Sequence, residues 1–141
     1  MKIIFDYNRT IYNPDEEALY EGVFEVLDEL SKKHELYLVS AHEPGRREKI
    51  KDFGIHIFFK KVFFVNHKAV EIFKLIANEG EEVLVVGDNI YSEINVGNKM
   101  NFNTVLLNHE NRKMFPLKEE HKQKHTINHI FGLKDILNVY N

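Results

Sequence analysis

The sequence predicts an α/β domain built on a parallel sheet, and three observations carry that prediction. Short, apolar, β-rich runs alternate along the chain with longer stretches whose apolar residues recur at helical spacing. The runs Lys2–Phe5, Leu36–Val39 and Glu82–Val86 read as buried strands. Each is closed by a polar residue, Asp6, Ser40 or, after Gly87, Asp88. Parallel sheets bind ligands at the carboxyl ends of their strands, so these three residues fall on one edge of the domain.

Taken in order, Lys2–Phe5 opens the sheet and delivers Asp6 to its end. From Asp15 to Lys33, Leu19, Val23, Phe24, Leu27 and Leu30 follow a helical period, with Pro14 and Asp15 as start signals. Leu36–Val39 is the second strand. Pro44–Phe53 carries the polar run Gly45-Arg46-Arg47-Glu48-Lys49-Ile50 and is expected to be an exposed helix stopped at Gly54. Ile55–Val65 is expected to give one or two strands around a turn at Lys60-Lys61. Lys68–Asn78 predicts a helix ended by Gly80, Glu82–Val86 a strand, Ser92–Lys99 a helix and Thr104–Leu107 a strand. Asn108–Asn128 is polar and aperiodic, a loop with a short helical piece, and Leu133, Ile136, Leu137 and Val139 close the chain with an amphipathic helix.

Composition narrows the function. The chain has 141 residues, the size of one domain (1–141), able to bury about 68% of the surface its unfolded form exposes. It has no cysteine, which removes disulfides, thiol catalysis and thiolate metal sites. With 19 basic and 22 acidic residues, the net charge of −3 argues against nucleic acid as a partner. Asp6 follows too few apolar residues for a signal peptide, and no run approaches a membrane span, so a cytoplasmic location without membrane contact is expected.

Two carboxylates at the ends of neighbouring strands raise each other's pKa unless a cation sits between them. Asp6 and Asp88 with Glu93 offer an oxygen-rich, cysteine-free set suited to Mg²⁺, whose remaining positions are filled by water and substrate phosphate oxygens. Lys68 and Ser40 would make the edge a phosphoryl cradle, since a transferring phosphoryl group needs its oxygens neutralised and a nucleophile held in line.

On these residues the chain resembles the haloacid dehalogenase-like (HAD) hydrolases, across nearly its whole length. Asp6-Tyr7-Asn8-Arg9-Thr10 resembles motif I, DxDx(T/V), and Leu36-Tyr37-Leu38-Val39-Ser40 resembles motif II. Lys68, ahead of Glu71-Ile72-Phe73, resembles the motif III lysine, and Gly87-Asp88-Asn89-Ile90-Tyr91-Ser92-Glu93 resembles motif IV. Gly97–Val105 resembles the family's small-residue helix and last core strand. The resemblance implies a Rossmann-like three-layer α/β/α fold with a central, mostly parallel sheet of about five strands.

It also implies roles. Asp6 would be the nucleophile, forming an aspartyl-phosphate. Asp88 and the backbone carbonyl of Asn8 would hold Mg²⁺ beside Asp6, with Glu93 acting through water; Asn89 and Ser92 are alternatives to Glu93. Ser40 and Lys68 would bind phosphoryl oxygens, with Thr10 and Asn89 expected beside them and Lys60 or Lys61 as alternatives to Lys68. Tyr7 and Arg9 flank the nucleophile.

Position 8 departs from the pattern. The family's phosphatases carry there an Asp that protonates the leaving oxygen and then activates water, whereas an amide cannot shuttle a proton. Losing that help typically costs about 10²–10⁴ in rate. The expectation is a Mg²⁺-dependent phosphatase, slow or atypical. The alternatives are a binding or scaffold protein that keeps the metal site, and a dehalogenase-type hydrolase.

Two further clusters stand out. His121, His125 and His129 would align on a helix if the segment were one, while Arg46, Arg47, Lys49 and Lys51 read first as a solvated helix face. The family's caps are inserted between motifs I and II or II and III. Thr10 to Ser40 is 30 positions and Ser40 to Lys68 is 28, both filled by core elements, so no cap domain is expected. An uncovered site favours a bulky or macromolecular phosphorylated substrate, or a homo-oligomer.

Overall fold

Side chains of a strand alternate between the two faces of its sheet, and here that alternation sorts the core into two layers. A computed structural model describes residues 1–140. On the first strand, β1 (Lys2–Phe5), Ile3 and Phe5 face one layer and Ile4 the other. The chain then makes a two-stranded hairpin, β2 (Tyr12–Asn13) with β3 (Ala18–Leu19), before helix α1 (Val23–Ser31). Strand β4 (Glu35–Ala41), helix α2 (Arg46–Asp52), a 3₁₀ turn (His56–Phe58) and strand β5 (Phe59–Val65) follow. Next come α3 (Val70–Lys74), β6 (Val83–Gly87), α4 (Glu93–Lys99), β7 (Asn103–Leu107), β8 (His125–Ile127) and α5 (Leu133–Val139).

The main sheet has six strands in the order β5-β4-β1-β6-β7-β8, every neighbouring pair parallel. Val23, Val26 and Leu27 of α1, Ile50 of α2 and Leu133 of α5 pack on one face with Phe5, Leu38 and Val86. Phe73 of α3 and Val96 of α4 pack on the other with Ile4, Val39 and Val85. This is a three-layer, Rossmann-like α/β fold, and no cap is evident. From β1 the chain builds β4 and β5 on one side, then crosses to β6. The order therefore reverses between β1 and β6, where such sheets open a crevice.

The sheet has one strand more than the expected five. His125–Ile127 lies in the segment read as loop; it is a three-residue edge strand, too short to set up a visible alternation. The expected helix 15–33 begins only at Val23, after Gly22 at φ 82°, because Leu19 belongs to the hairpin and packs on the core from there. Lys60-Lys61 is no turn. The pairing of β4 with β5 slips between Leu36 and Tyr37, opposite Phe59 and Lys61, so Lys60 is the extra residue of a bulge within one continuous strand. The helix expected over 68–78 is the single turn-and-a-half of α3, and Lys68 sits in the loop before it.

His121, His125 and His129 do not share a helix. His121 Nδ1 accepts from the Leu117 amide, His125 Nε2 lies 2.7 Å from the Tyr140 hydroxyl, and His129 caps a 3₁₀ turn through the Phe131 amide. No helix among the described residues is long and apolar enough to cross a membrane.

Candidate functional site

The carboxyl end of β1 is tied to β6 by a bond from the Asp6 amide to the Val86 carbonyl, 3.0 Å, so Asp6 and Asp88 leave neighbouring strands side by side. Glu93, the first residue of α4, turns back toward them. Its Oε1 accepts from the Asn89 amide at 3.0 Å, which closes the Asp88–Glu93 loop under the crevice. One oxygen from each of Asp6, Asp88 and Glu93 lies within 4.8 Å of the others.

Lys68 enters this group from the loop before α3. Its ammonium is bonded to Asp6 Oδ1 and lies 3.2 Å from Glu93 Oε2, with all three side chains almost wholly buried. Burial alone would lower the lysine pKa, but Glu93 and Asp6 more than offset it and the net shift is upward, so Lys68 stays charged. Three acids thus face one cation. Burial, then repulsion from Asp6 and Glu93, pushes Asp88 up to about 8. Glu93 is raised as well, by burial and then by Asp6, against the pull of Lys68. The excess negative charge therefore favours uptake of a proton or of a further cation at the site.

That excess is the test of fit for Mg²⁺. An all-oxygen donor set with surplus negative charge, on the wall of a cavity of about 450 Å³, suits a hard divalent cation that keeps several water or substrate ligands. The cavity is lined by Asp6, Asn8, Lys68, Asp88, Asn89 and Glu93, among others. Its rim includes the exposed Ala41, His67 and Tyr91. The crevice is therefore reached directly from solvent.

The other expected residues are distributed around it. Thr10 is fully buried, with Oγ1 at 3.5 Å from Asp6 Oδ2, the outer limit of a hydrogen bond. Arg9, in the left-handed region at φ 60°, is drawn to Asp15 at 3.3 Å and Glu110 at 2.6 Å, away from the cavity. Asn89 uses its side chain to accept from the Tyr91 amide at 2.9 Å. Ser40 follows Leu36 and Leu38 to the opposite face of the sheet from Val39. Its Oγ accepts from Arg46 Nη1 at 3.2 Å, and it is Ala41, one residue on, that borders the carboxylate cavity. The structure therefore brings Asp6, Asn8, Lys68, Asp88, Asn89 and Glu93 to one cavity, sets Thr10 behind Asp6, and leaves the Ser40 hydroxyl on the other side of β4.

His67 also lines the cavity, and nothing in the sequence but its adjacency to Lys68 marks it.

No protein-family model and no curated protein sequence matches the chain. Solved structures do. YfnB of Bacillus subtilis, assigned as a HAD-hydrolase and solved bound to magnesium, aligns at 24% identity and TM-score 0.73 over 86% of this chain and 57% of its own. A HAD phosphatase from Thermococcus onnurineus aligns at 21% and 0.71, over 85% of this chain and 58% of its own. A 2-haloacid dehalogenase from Pseudomonas syringae aligns at 11% and 0.78 over 99% of both. This chain thus spans little more than half of the first two proteins. Its fold is that of the HAD-superfamily hydrolases.

Proposed function

We propose that the chain is a Mg²⁺-dependent phosphohydrolase that works through an aspartyl-phosphate on Asp6, slowed by the amide at position 8. The observation that carries this reading is the Asp6–Lys68–Glu93 contact beside Asp88: a nucleophile, a buried cation and surplus carboxylates on one solvent-accessible crevice. The fold likeness to a HAD phosphatase and to a magnesium-bound HAD-hydrolase supports it.

Mg²⁺, held by Asp6, Asp88, the backbone carbonyl of Asn8 and, through water, Glu93, would neutralise the oxygens of the transferring phosphoryl group. Lys68 binds the same oxygens and keeps Asp6 in its attacking orientation. A carboxylate oxygen of Asp6 forms a bond to phosphorus as the bond to the leaving oxygen breaks. That oxygen takes its proton from solvent, because Asn8 has none to give. Water then attacks phosphorus, the bond to Asp6 breaks, and inorganic phosphate leaves with the Asp6 carboxylate restored. In the first step, esters whose leaving groups need no proton lose little by the change at position 8, whereas the water step slows for all.

With no cap evident and an exposed rim, exclusion of water falls to the substrate or to a second copy of the chain. That favours a bulky phosphorylated substrate. The alternative, a binding protein that retains the metal site, is favoured by Asn8 alone. Incubation with an aryl phosphate and Mg²⁺ followed by mass spectrometry separates the two. A phosphorylated Asp6, absent from Asp6→Asn, is the expected result. No adduct and no turnover, with Asn8→Asp active, assigns the chain to binding.

A further inference from the structure

A second cavity, of about 230 Å³, lies between Tyr7, Tyr12 and the segment Glu43–Lys49. Asp6 and Tyr7 are consecutive, so their side chains leave on opposite faces of the sheet, and Tyr7 joins the core under α1 and α2. This cavity is therefore on the other face from the carboxylates. The two are neighbours across the end of β4. Arg46 Nη1, in the second cavity, donates to the carbonyl of Ala41 at 3.1 Å, and Ala41 borders the first.

The lining is cationic. Arg46 and Lys49 face it, against the one carboxylate of Glu43. Neither cation is in an ion pair among the described residues. Their partners are neutral. Arg46 bonds Ser40 Oγ and the Ala41 carbonyl, and lies 5.1 Å from the centre of the Tyr7 ring. Lys49 donates to the Tyr12 hydroxyl at 3.0 Å and lies 5.0 Å from that ring's centre. The rings of Tyr7 and Tyr12 stack, 5.2 Å apart, as a wall that holds both cations in place.

We propose that this cavity is a second anion-binding site, which holds a carboxylate or phosphate substituent of the substrate while the scissile phosphoryl group lies at Asp6. Arg46 and Lys49 supply the charge, and the stacked Tyr7 and Tyr12 rings hold the two cations at the cavity wall. The volume is below the roughly 300–1,000 Å³ of a cavity that takes a whole ligand, and suits one substituent of a molecule seated across the end of β4. That the anion belongs to the substrate rests on the phosphohydrolase reading; the anion site itself does not.

The test has two arms. Inorganic phosphate titrated into the isotope-labelled protein, followed by amide NMR, should give saturable shifts at Gly45, Arg46 and Lys49. Arg46→Gln and Lys49→Gln should each weaken that binding about tenfold. Shifts that do not saturate there, or that survive both charge substitutions, overturn the site. In the second arm, phenyl phosphate is compared with a carboxylate-bearing aryl phosphate. Lys49→Gln should reduce the preference for the second ester, read as the ratio of kcat/KM, about tenfold. An unchanged ratio overturns the assignment of the anion to the substrate. Absence of turnover with either ester refutes the phosphohydrolase reading and leaves the anion site to the first arm.

Discussion

Gly87 and Glu93 occupy the same space: a Cβ on Gly87 would lie 2.2 Å from both Cγ and Oε1 of Glu93. The glycine before Asp88 is what allows the Glu93 side chain to fold back beneath the crevice. Its φ is not in the left-handed region, so the requirement is room rather than backbone freedom.

Gly87→Ala must push Glu93 out of its place. The expected result is a loss of about 1–3 kcal/mol in stability from overpacking, together with weaker Mg²⁺ binding. Urea unfolding and calorimetric titration check the two parts. Metal affinity equal to that of the unmodified chain would show that Glu93 does not serve the metal.

Asn8→Asp restores a titratable group beside Asp6. Turnover of alkyl phosphates should rise by about 10²–10⁴, and that of activated aryl phosphates less, since their leaving groups need no proton. Steady-state rates on paired alkyl and aryl esters measure the difference. Equal gains on both would place the defect in the water step alone.

Asp88 holds its proton more tightly folded than unfolded. Its contribution to stability is thus complete below its unfolded value near 4 and is lost as pH rises through about 8. In metal-free buffer the unmodified chain should lose stability relative to Asp88→Asn across that window, by at most about 1.4 kcal/mol per pH unit. Mg²⁺ should restore it, with a proton released on binding below pH 8. A flat difference between the two proteins from pH 4 to 8 contradicts this.

Lys68→Met leaves Asp6 and Glu93 buried without their counter-charge. A loss of about 3–5 kcal/mol is expected, as for other buried pairs that lose one partner, with partial recovery in Mg²⁺. Thermal unfolding with and without the ion reports both.

The central strands and the residues at their ends were legible because burial on both faces leaves an unbroken apolar run, and because Asp6 and Asp88 interrupt such runs abruptly. Lys68 was legible from its place before an apolar helix. What escaped depends on contacts distant in sequence. The hairpin around Pro14 borrows Leu19 from what reads as a helical stripe, and β8 exists only because β7 offers it an edge. The side on which Ser40 falls follows from the alternation along its strand, which a motif does not carry. The same holds for Arg46, whose residue type suits an exposed helix face until Tyr7 and Ser40 are set beneath it.

Strand β5 closes the sheet on one side, and among the described residues no strand pairs with its outer edge. Phe59 to Val65 is long and apolar enough to recruit another chain, and what stands against that is the pair Lys60 and Lys61, exposed on the bulge. The bulge breaks the regular spacing that an incoming strand would have to match, and two adjacent ammonium groups would meet their own kind in any copy that tried. Lys60 reaches Glu35 of the neighbouring strand at 2.5 Å. The irregularity at Lys60 therefore makes the β5 edge a poor template for a further strand.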